Sequence, residues 1–297
     1  MARILKEDEG QVARRSKLLH LAAISLAENM RSGNFKSICR GQGIEFSKLR
    51  EYLPGDNVRV IDWNVTARMG RAYIKQYDED KELSLFIIID RSLSMYQGTG
   101  GVSKLDCATE TAALLIMAGE INSSSLGAVL FDGEVRFSCR PEPGRERAMM
   151  LLSKIDRTED DVKKGSVLDN AIRGAHRLLK RRSLVFVLSD FKTEGWQVPL
   201  ARLAQKHDVV AVRITDQMDS ELPEIGTIPF VDAESGVRAK LPTSSSAFRR
   251  MWFDENRRQT DSWQNYCLRH GIYTILLSTA DDCTRVLSKF FSERARS

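Results

Sequence analysis

Leu85-Phe86-Ile87-Ile88-Ile89 is an apolar run of strand length with no polar interruption, and it stops at Asp90-Arg91-Ser92-Leu93-Ser94. A strand without polar alternation is buried on both faces, which calls for a parallel sheet covered by helices on either side. The pattern returns at Leu184-Val185-Phe186-Val187-Leu188, which ends at Ser189-Asp190. Polar side chains at the carboxyl ends of such strands stand where open α/β sheets bind their ligands.

The segments around these runs fit the same architecture. Leu18, Leu19, Ala22, Ala23, Leu26 and Ala27 recur at helical spacing between Val12 and Met30, and Ser32-Gly33-Asn34 ends the pattern. Leu105, Ala108, Ala112, Leu115 and Ile116 make a second helical stripe. Leu126–Phe131, the turn residues Asp132-Gly133, and Val135–Ser138 read as a hairpin. Helices are predicted over 145–154, 167–181, 198–206, 246–270 and 281–291, with strands over 209–214 and 272–277. Turn signals at 224–227 and at Glu234-Ser235-Gly236 predict a short extended excursion within 221–242. Strands alternating with helices specify a doubly wound, mostly parallel α/β sheet with right-handed crossovers.

Residues 40–77 are different. Gly41, Gly43 and Pro54-Gly55-Asp56 punctuate them, and Val58, Val60 and Ile61 suggest short extended pieces between charges. Glu45, Arg50, Glu51, Asp56, Arg59, Asp62 and Arg68 are numerous enough to pair with one another and hold this segment to the sheet.

The 297 residues suffice for a full α/β core, and a net charge of +5 spread along them makes no basic stripe. Nucleic acid is therefore not an expected partner. Five cysteines with no close pair and no zinc spacing read as thiols, largely buried, rather than as disulfides. No segment approaches the roughly 18 apolar residues that span a bilayer, and the charged start has no signal-peptide core. The expected location is cytoplasmic, without membrane insertion.

Three loops carry oxygen donors in an order that suits one composite site. The first supplies Asp90, Ser92 and Ser94. The second is Lys164-Gly165-Ser166, where a glycine permits a sharp turn before a helix start. The third supplies Asp190. If the two apolar strands are neighbours, Asp90 and Asp190 converge on one crevice. Carboxylates and hydroxyls are hard donors that suit Mg²⁺, Mn²⁺ or Ca²⁺ rather than zinc.

Asp90-Arg91-Ser92-Leu93-Ser94 resembles the Asp-x-Ser-x-Ser motif of von Willebrand factor type A domains, whose metal-ion-dependent adhesion site holds a divalent cation. That family adds a threonine from a second loop and an aspartate from a third, and Ser166 and Asp190 stand at the matching places. Serine for threonine keeps the hydroxyl but loses the methyl that fixes its rotamer. The resemblance implies hydroxyl ligation by Ser92, Ser94 and Ser166, with Asp90 and Asp190 acting mainly through water.

A longer likeness extends it. Gly41-Gln42-Gly43-Ile44-Glu45-Phe46, Leu49 to Asp56, and Arg59 to Arg68 resemble the signature of the bacterial "domain of unknown function 58" family, which joins it to a von Willebrand type A-like domain. The division this implies is 1–81 for the N-terminal helix and signature segment, and 82–297 for the type A-like domain. Members are often encoded beside MoxR-type AAA ATPases, so the resemblance implies an ATPase partner. The expected function is a non-enzymatic, metal-dependent module that captures an acidic residue of a partner during assembly or maturation of other proteins.

The competing enzyme reading is a metal-dependent phosphohydrolase with Asp90 as nucleophile. Such sites place a second carboxylate two residues on, where this chain has Ser92. Neither a phosphate-cradling loop nor a Gly-x-Ser-x-Gly elbow is present, and the four histidines are scattered.

Overall fold

The computed structural model describes residues 9–32, 38–53, 61–157, 161–231 and 238–295. The turns expected at Pro54-Gly55-Asp56 and Glu234-Ser235-Gly236 lie outside them, as do Val58 and Val60. The chain divides into two compact units. One contains the N-terminal helix α1 (Glu9–Ser32) and everything from Leu83 onward. The other spans Ile38–Glu82.

In the larger unit the apolar run is the second half of the long strand β2 (Tyr73–Asp90). After a 3-10 turn (Leu93–Tyr96) come α3 (Lys104–Ile121), β3 (Ser125–Phe131), β4 (Val135–Glu142), α4 (Arg145–Asp156), α5 (Leu168–Leu178) and β5 (Leu184–Ser189). The chain continues through α6 (Gln197–Ala204), β6 (Asp208–Thr215) and α7 (Gln217–Ser220). The hairpin β7 (Thr227–Val231) and β8 (Arg238–Pro242), α8 (Ser246–Arg269), β9 (Tyr273–Ser278) and α9 (Cys283–Ala295) complete it.

The strand order is β4-β3-β2-β5-β6-β9, with β3, β5, β6 and β9 parallel to their neighbours and β4 antiparallel at one edge. Counted from β2, with β1 set aside, that is 3-2-1-4-5-6, the doubly wound order in which the chain reverses direction beside β2. The reversal falls between β2 and β5. Their register runs from Leu85 opposite Leu184 to Ile89 opposite Leu188, so the two apolar runs are the adjacent central strands that the sequence predicts.

Leu85 to Ile89 and Leu184 to Leu188 are all buried. Successive side chains point to opposite faces. Phe86 and Ile88 share one core with Leu168 and Ile172 of α5, Leu200 of α6 and Trp263 of α8. On the other face α3 comes so close that a Cβ on Gly119 would lie 2.6 Å from Leu126 and 3.1 Å from Leu85. Each buried Leu, Ile or Phe contributes roughly 1.5–3 kcal/mol, and the sheet is stable because both faces collect such terms. Helix α1 buries Ala23, Leu26, Ala27 and Met30 and packs on α3 and α9, where Asn122 Nδ2 donates to Ala27 O over 2.9 Å.

The smaller unit holds β1 (Ile38–Glu51), which pairs with β2, and a short helix, α2 (Trp63–Met69). The sequence reading has only extended pieces here, and α2 corrects it. Seven residues are too few to show a period, but the end signals are plain. Asp62 accepts from the amides of Asn64 and Val65, and Gly70 closes the helix at φ 68°. Arg71 pairs with Glu51 over 3.2 Å.

Cys107, Cys139, Cys267 and Cys283 are free thiols, all but Cys139 buried. Among the described residues, no helix is long and apolar enough to cross a membrane.

Candidate functional site

Asp90 ends β2 at the point where the sheet order reverses. Its Oδ1 accepts from the Ser92 amide over 2.9 Å, a turn that folds the chain back on the strand end. Ser92, which precedes the 3-10 turn, and Ser94 within it then place their Oγ atoms 3.2 Å apart, both residues buried. The neighbouring strand contributes next. Ser189 Oγ donates to Asp90 Oδ2 over 2.7 Å and itself accepts from the Phe191 amide at 3.0 Å.

The second loop arrives from beyond α4. Gly165 takes φ 89°, a positive φ that glycine adopts without penalty and that makes the sharp turn expected before the helix start. Ser166 Oγ approaches Asp90 Oδ2 at 3.5 Å. This loop is tied to the β3–β4 turn by the buried Asp132, which accepts from Arg136 Nε at 2.8 Å and from the Lys163 amide at 3.1 Å. Gly133 sits so close that a Cβ there would collide with Lys164 O.

Asp190 follows β5, and the next residue, Phe191, holds φ 54°. An aromatic side chain in that region is strained. Its ring is buried against Trp196 (centroids 5.2 Å apart) and Trp263 (5.5 Å), which fix the loop that carries Asp190. All five residues singled out in the sequence, Asp90, Ser92, Ser94, Ser166 and Asp190, therefore gather at one crevice. Ser166 is its most exposed member.

Sequence reasoning missed four participants. Ser189 is one. Lys104, the first residue of α3, is fully buried, with Nζ 2.8 Å from Asp190 Oδ2 and 3.8 Å from Asp219 Oδ2. Lys192 Nζ binds Asp219 Oδ1 over 2.6 Å. Asp219 lies on α7, whose N-cap Asp216 also accepts from Thr99 N, Thr99 Oγ1 and Thr279 Oγ1 at 2.9, 2.7 and 2.7 Å. One carboxylate thus clasps the loop after β2 to the ends of β6 and β9.

The electrostatics of the two central carboxylates differ. Burial, and then the like charge of Asp190, push Asp90 up to about 7, against hydrogen bonds from Ser92 and Ser189 that lower it. Burial also works to raise Asp190, but Lys104 and Lys192 outweigh it and hold that carboxyl below its ordinary range. Burial works against the Lys104 ammonium in turn, and the charges of Asp190 and Asp219 overcome it.

Among the described residues no group of three or more His, Cys, Asp and Glu side chains is placed to hold a metal, so a cation here would rest on hydroxyls. The donor set fits that chemistry. Bonds of about 2.1 Å to a six-coordinate Mg²⁺ put adjacent oxygens about 3.0 Å apart, close to the 3.2 Å between Ser92 Oγ and Ser94 Oγ.

The family model described as "Protein of unknown function DUF58" matches residues 48–262. The chain belongs to this family. Proteins similar to it include uncharacterized proteins of Mycobacterium bovis and Mycobacterium tuberculosis, each 31% identical over 233 residues, 77% of this chain and 73% of theirs. Solved structures similar to it include the conserved hypothetical protein BatB from Bacteroides thetaiotaomicron, at 15% identity and TM-score 0.47 over 72% of this chain and 100% of that one. An aerotolerance-related membrane protein from Bacteroides fragilis matches at 16% identity and TM-score 0.48, over 72% and 98% of the two chains.

Proposed function

We propose that this DUF58 protein is a non-enzymatic interaction module whose crevice holds Mg²⁺, or Mn²⁺ or Ca²⁺ in its place, and captures an acidic side chain of a partner protein. The observation that carries this reading is the convergence of Asp90, Ser92, Ser94, Ser166 and Asp190 from three loops at the sheet's switch point. Ser92, Ser94 and Ser166 would hold the ion through their hydroxyls. Asp90 and Asp190 would orient its waters. When bound, the ion supplies an electrophilic position that a carboxylate from outside can fill.

The chain's own residues prepare that position. Asp90 is held at both oxygens by Ser92, Ser189 and Ser166, an arrangement that aims a carboxylate rather than freeing it as a nucleophile. This favours capture over the phosphohydrolase reading. Asp132 and Gly133 set the loop that brings Ser166 to the exposed side, where a partner would enter. A MoxR-type AAA ATPase is the partner that the family resemblance implies, and assembly or maturation of other proteins is the process.

The test is a pull-down of the purified protein against native lysate, with Mg²⁺ and with EDTA, read by mass spectrometry. An ATPase retained with Mg²⁺, released by EDTA and missing with Ser92→Ala supports the proposal. Equal recovery in all three arms would falsify it.

A further inference from the structure

The crevice contains a positive charge that carboxylate capture does not require. Lys104 is completely buried, and it stands in the first turn of α3. Both circumstances are unfavourable to an ammonium. Burial removes its hydration, and the amino end of a helix already carries the positive pole of the helix dipole. What offsets them is the pair of carboxylates in front of it, Asp190 at 2.8 Å and Asp219 at 3.8 Å. Asp219 has its own short ion pair with Lys192 at 2.6 Å, and Lys104 lies nearer to Asp190, so Asp190 is the carboxylate that Lys104 chiefly serves, with the charge of Lys192 adding to it. Asp90, across the crevice, is held by hydroxyl and amide donors.

We propose that Lys104 is a built-in cation that competes with a divalent ion for the charge of Asp190, and so keeps the metal affinity of the crevice low until a partner carboxylate arrives. The inference rests on reading the crevice as a divalent-cation site and assigns the regulation of that site. An ion at Ser92 and Ser94 meets no competing ammonium at Asp90, but Asp190 is already paired with Lys104 and that ammonium adds repulsion. A carboxylate entering from outside supplies the negative charge that Lys104 has withdrawn. Metal and partner then strengthen each other's binding by the same factor. The lysine turns a constitutive metal site into a conditional one.

Calorimetry with Mn²⁺ on the full chain tests this in wild type, Lys104→Met, Lys104→Gln and Asp190→Asn, alongside thermal unfolding in EDTA and in Mn²⁺. Removing the ammonium should tighten Mn²⁺ binding about tenfold or more, as expected for deleting a like charge at short range in a poorly screened site. Lys104→Met should also unfold earlier than wild type in EDTA and recover in Mn²⁺, because the ion replaces the missing charge. Asp190→Asn should weaken binding. If Lys104→Met folds only with Mn²⁺ present, the ion is substituting for the ammonium and the proposal stands. If it does not fold at all, Lys104→Gln, which keeps a donor to Asp190, carries the comparison. Mn²⁺ binding to wild type with unchanged affinity in the Lys104 variants overturns the competition while leaving the metal site in place. No Mn²⁺ binding to any of the four overturns both.

Discussion

Ser189 Oγ donates to Asp90 Oδ2 over 2.7 Å, joining the ends of the two central strands side chain to side chain. Backbone pairing between the strands runs to Ile89 opposite Leu188, so this bond continues the ladder where the loops begin. Both residues are buried. Ser189→Ala leaves Asp90 Oδ2 with only the longer bond from Ser166 at 3.5 Å and takes from the Phe191 amide its Ser189 acceptor, at a cost of about 1–3 kcal/mol. Urea unfolding should show a lower midpoint with an unchanged slope, and Ser189→Thr should restore most of it.

Phe191 balances strain against packing. Its left-handed backbone costs roughly 1–2 kcal/mol, while truncating a buried aromatic costs roughly 3–5 kcal/mol. Phe191→Gly relieves the first and loses the second, for a net destabilisation of about 2 kcal/mol. The emission of Trp196 and Trp263, whose rings it touches, should shift to the red as water reaches them.

The loop bearing Ser166 depends on Gly133. In Gly133→Ala the new methyl meets the Lys164 carbonyl, a backbone atom that cannot step aside alone. The loop must move outward, weakening the Lys163 amide bond to Asp132. Limited proteolysis should then cut within residues 157–166 faster than in wild type, with a thermal midpoint lowered by an overpacking cost of about 1–3 kcal/mol.

Much of this site is legible in the sequence because its donors are local. Asp90, Ser92 and Ser94 sit within five residues of a run that announces a buried strand, and Asp190 repeats the signal. The partners of Asp190 are harder to see. Lys104 reads as an ordinary polar residue at a helix start, although a lysine directly after the capping serine Ser103 is at the wrong pole of the helix. Asp219 belongs to a four-residue helix, too short for any period. Ser189 lies one position before the expected aspartate, and only the strand register reveals that its hydroxyl reaches Asp90. Helix α2 had legible caps in Asp62 and Gly70 that the charge pattern around them obscured.

His207 gives the fold an acid sensitivity apart from the crevice. It is buried, neither ring nitrogen has a partner among the described residues, and its ring meets that of His176 edge-on. Burial, then the charges of His176, Lys206 and Arg182, bring it down to about 4. Between that value and about 6.5 the unfolded chain binds a proton at this position that the folded chain refuses, so the contribution of His207 to stability falls as the pH drops through this window, against the opposite trend of Asp90, whose raised carboxyl takes up its proton more readily in the folded chain. His207→Gln should remove that loss, so the midpoint of the variant should rise relative to wild type as the pH is lowered from 6.5 to 4, with a constant difference above pH 7.

The in-register pairing of β2 with β5 governs how such a site can be lost. Inserting or deleting one residue in either strand would turn every following side chain to the opposite face, expelling Phe86 or Val187 from its core and withdrawing Asp90 or Ser189 from the crevice at once. Length changes here cannot be neutral, whereas single substitutions at Ser92 or Ser166 touch the crevice and spare the core. A scan of one-residue insertions should therefore separate the molecule sharply. The central strands should tolerate none, while the β7–β8 hairpin, which pairs only with itself, should absorb them.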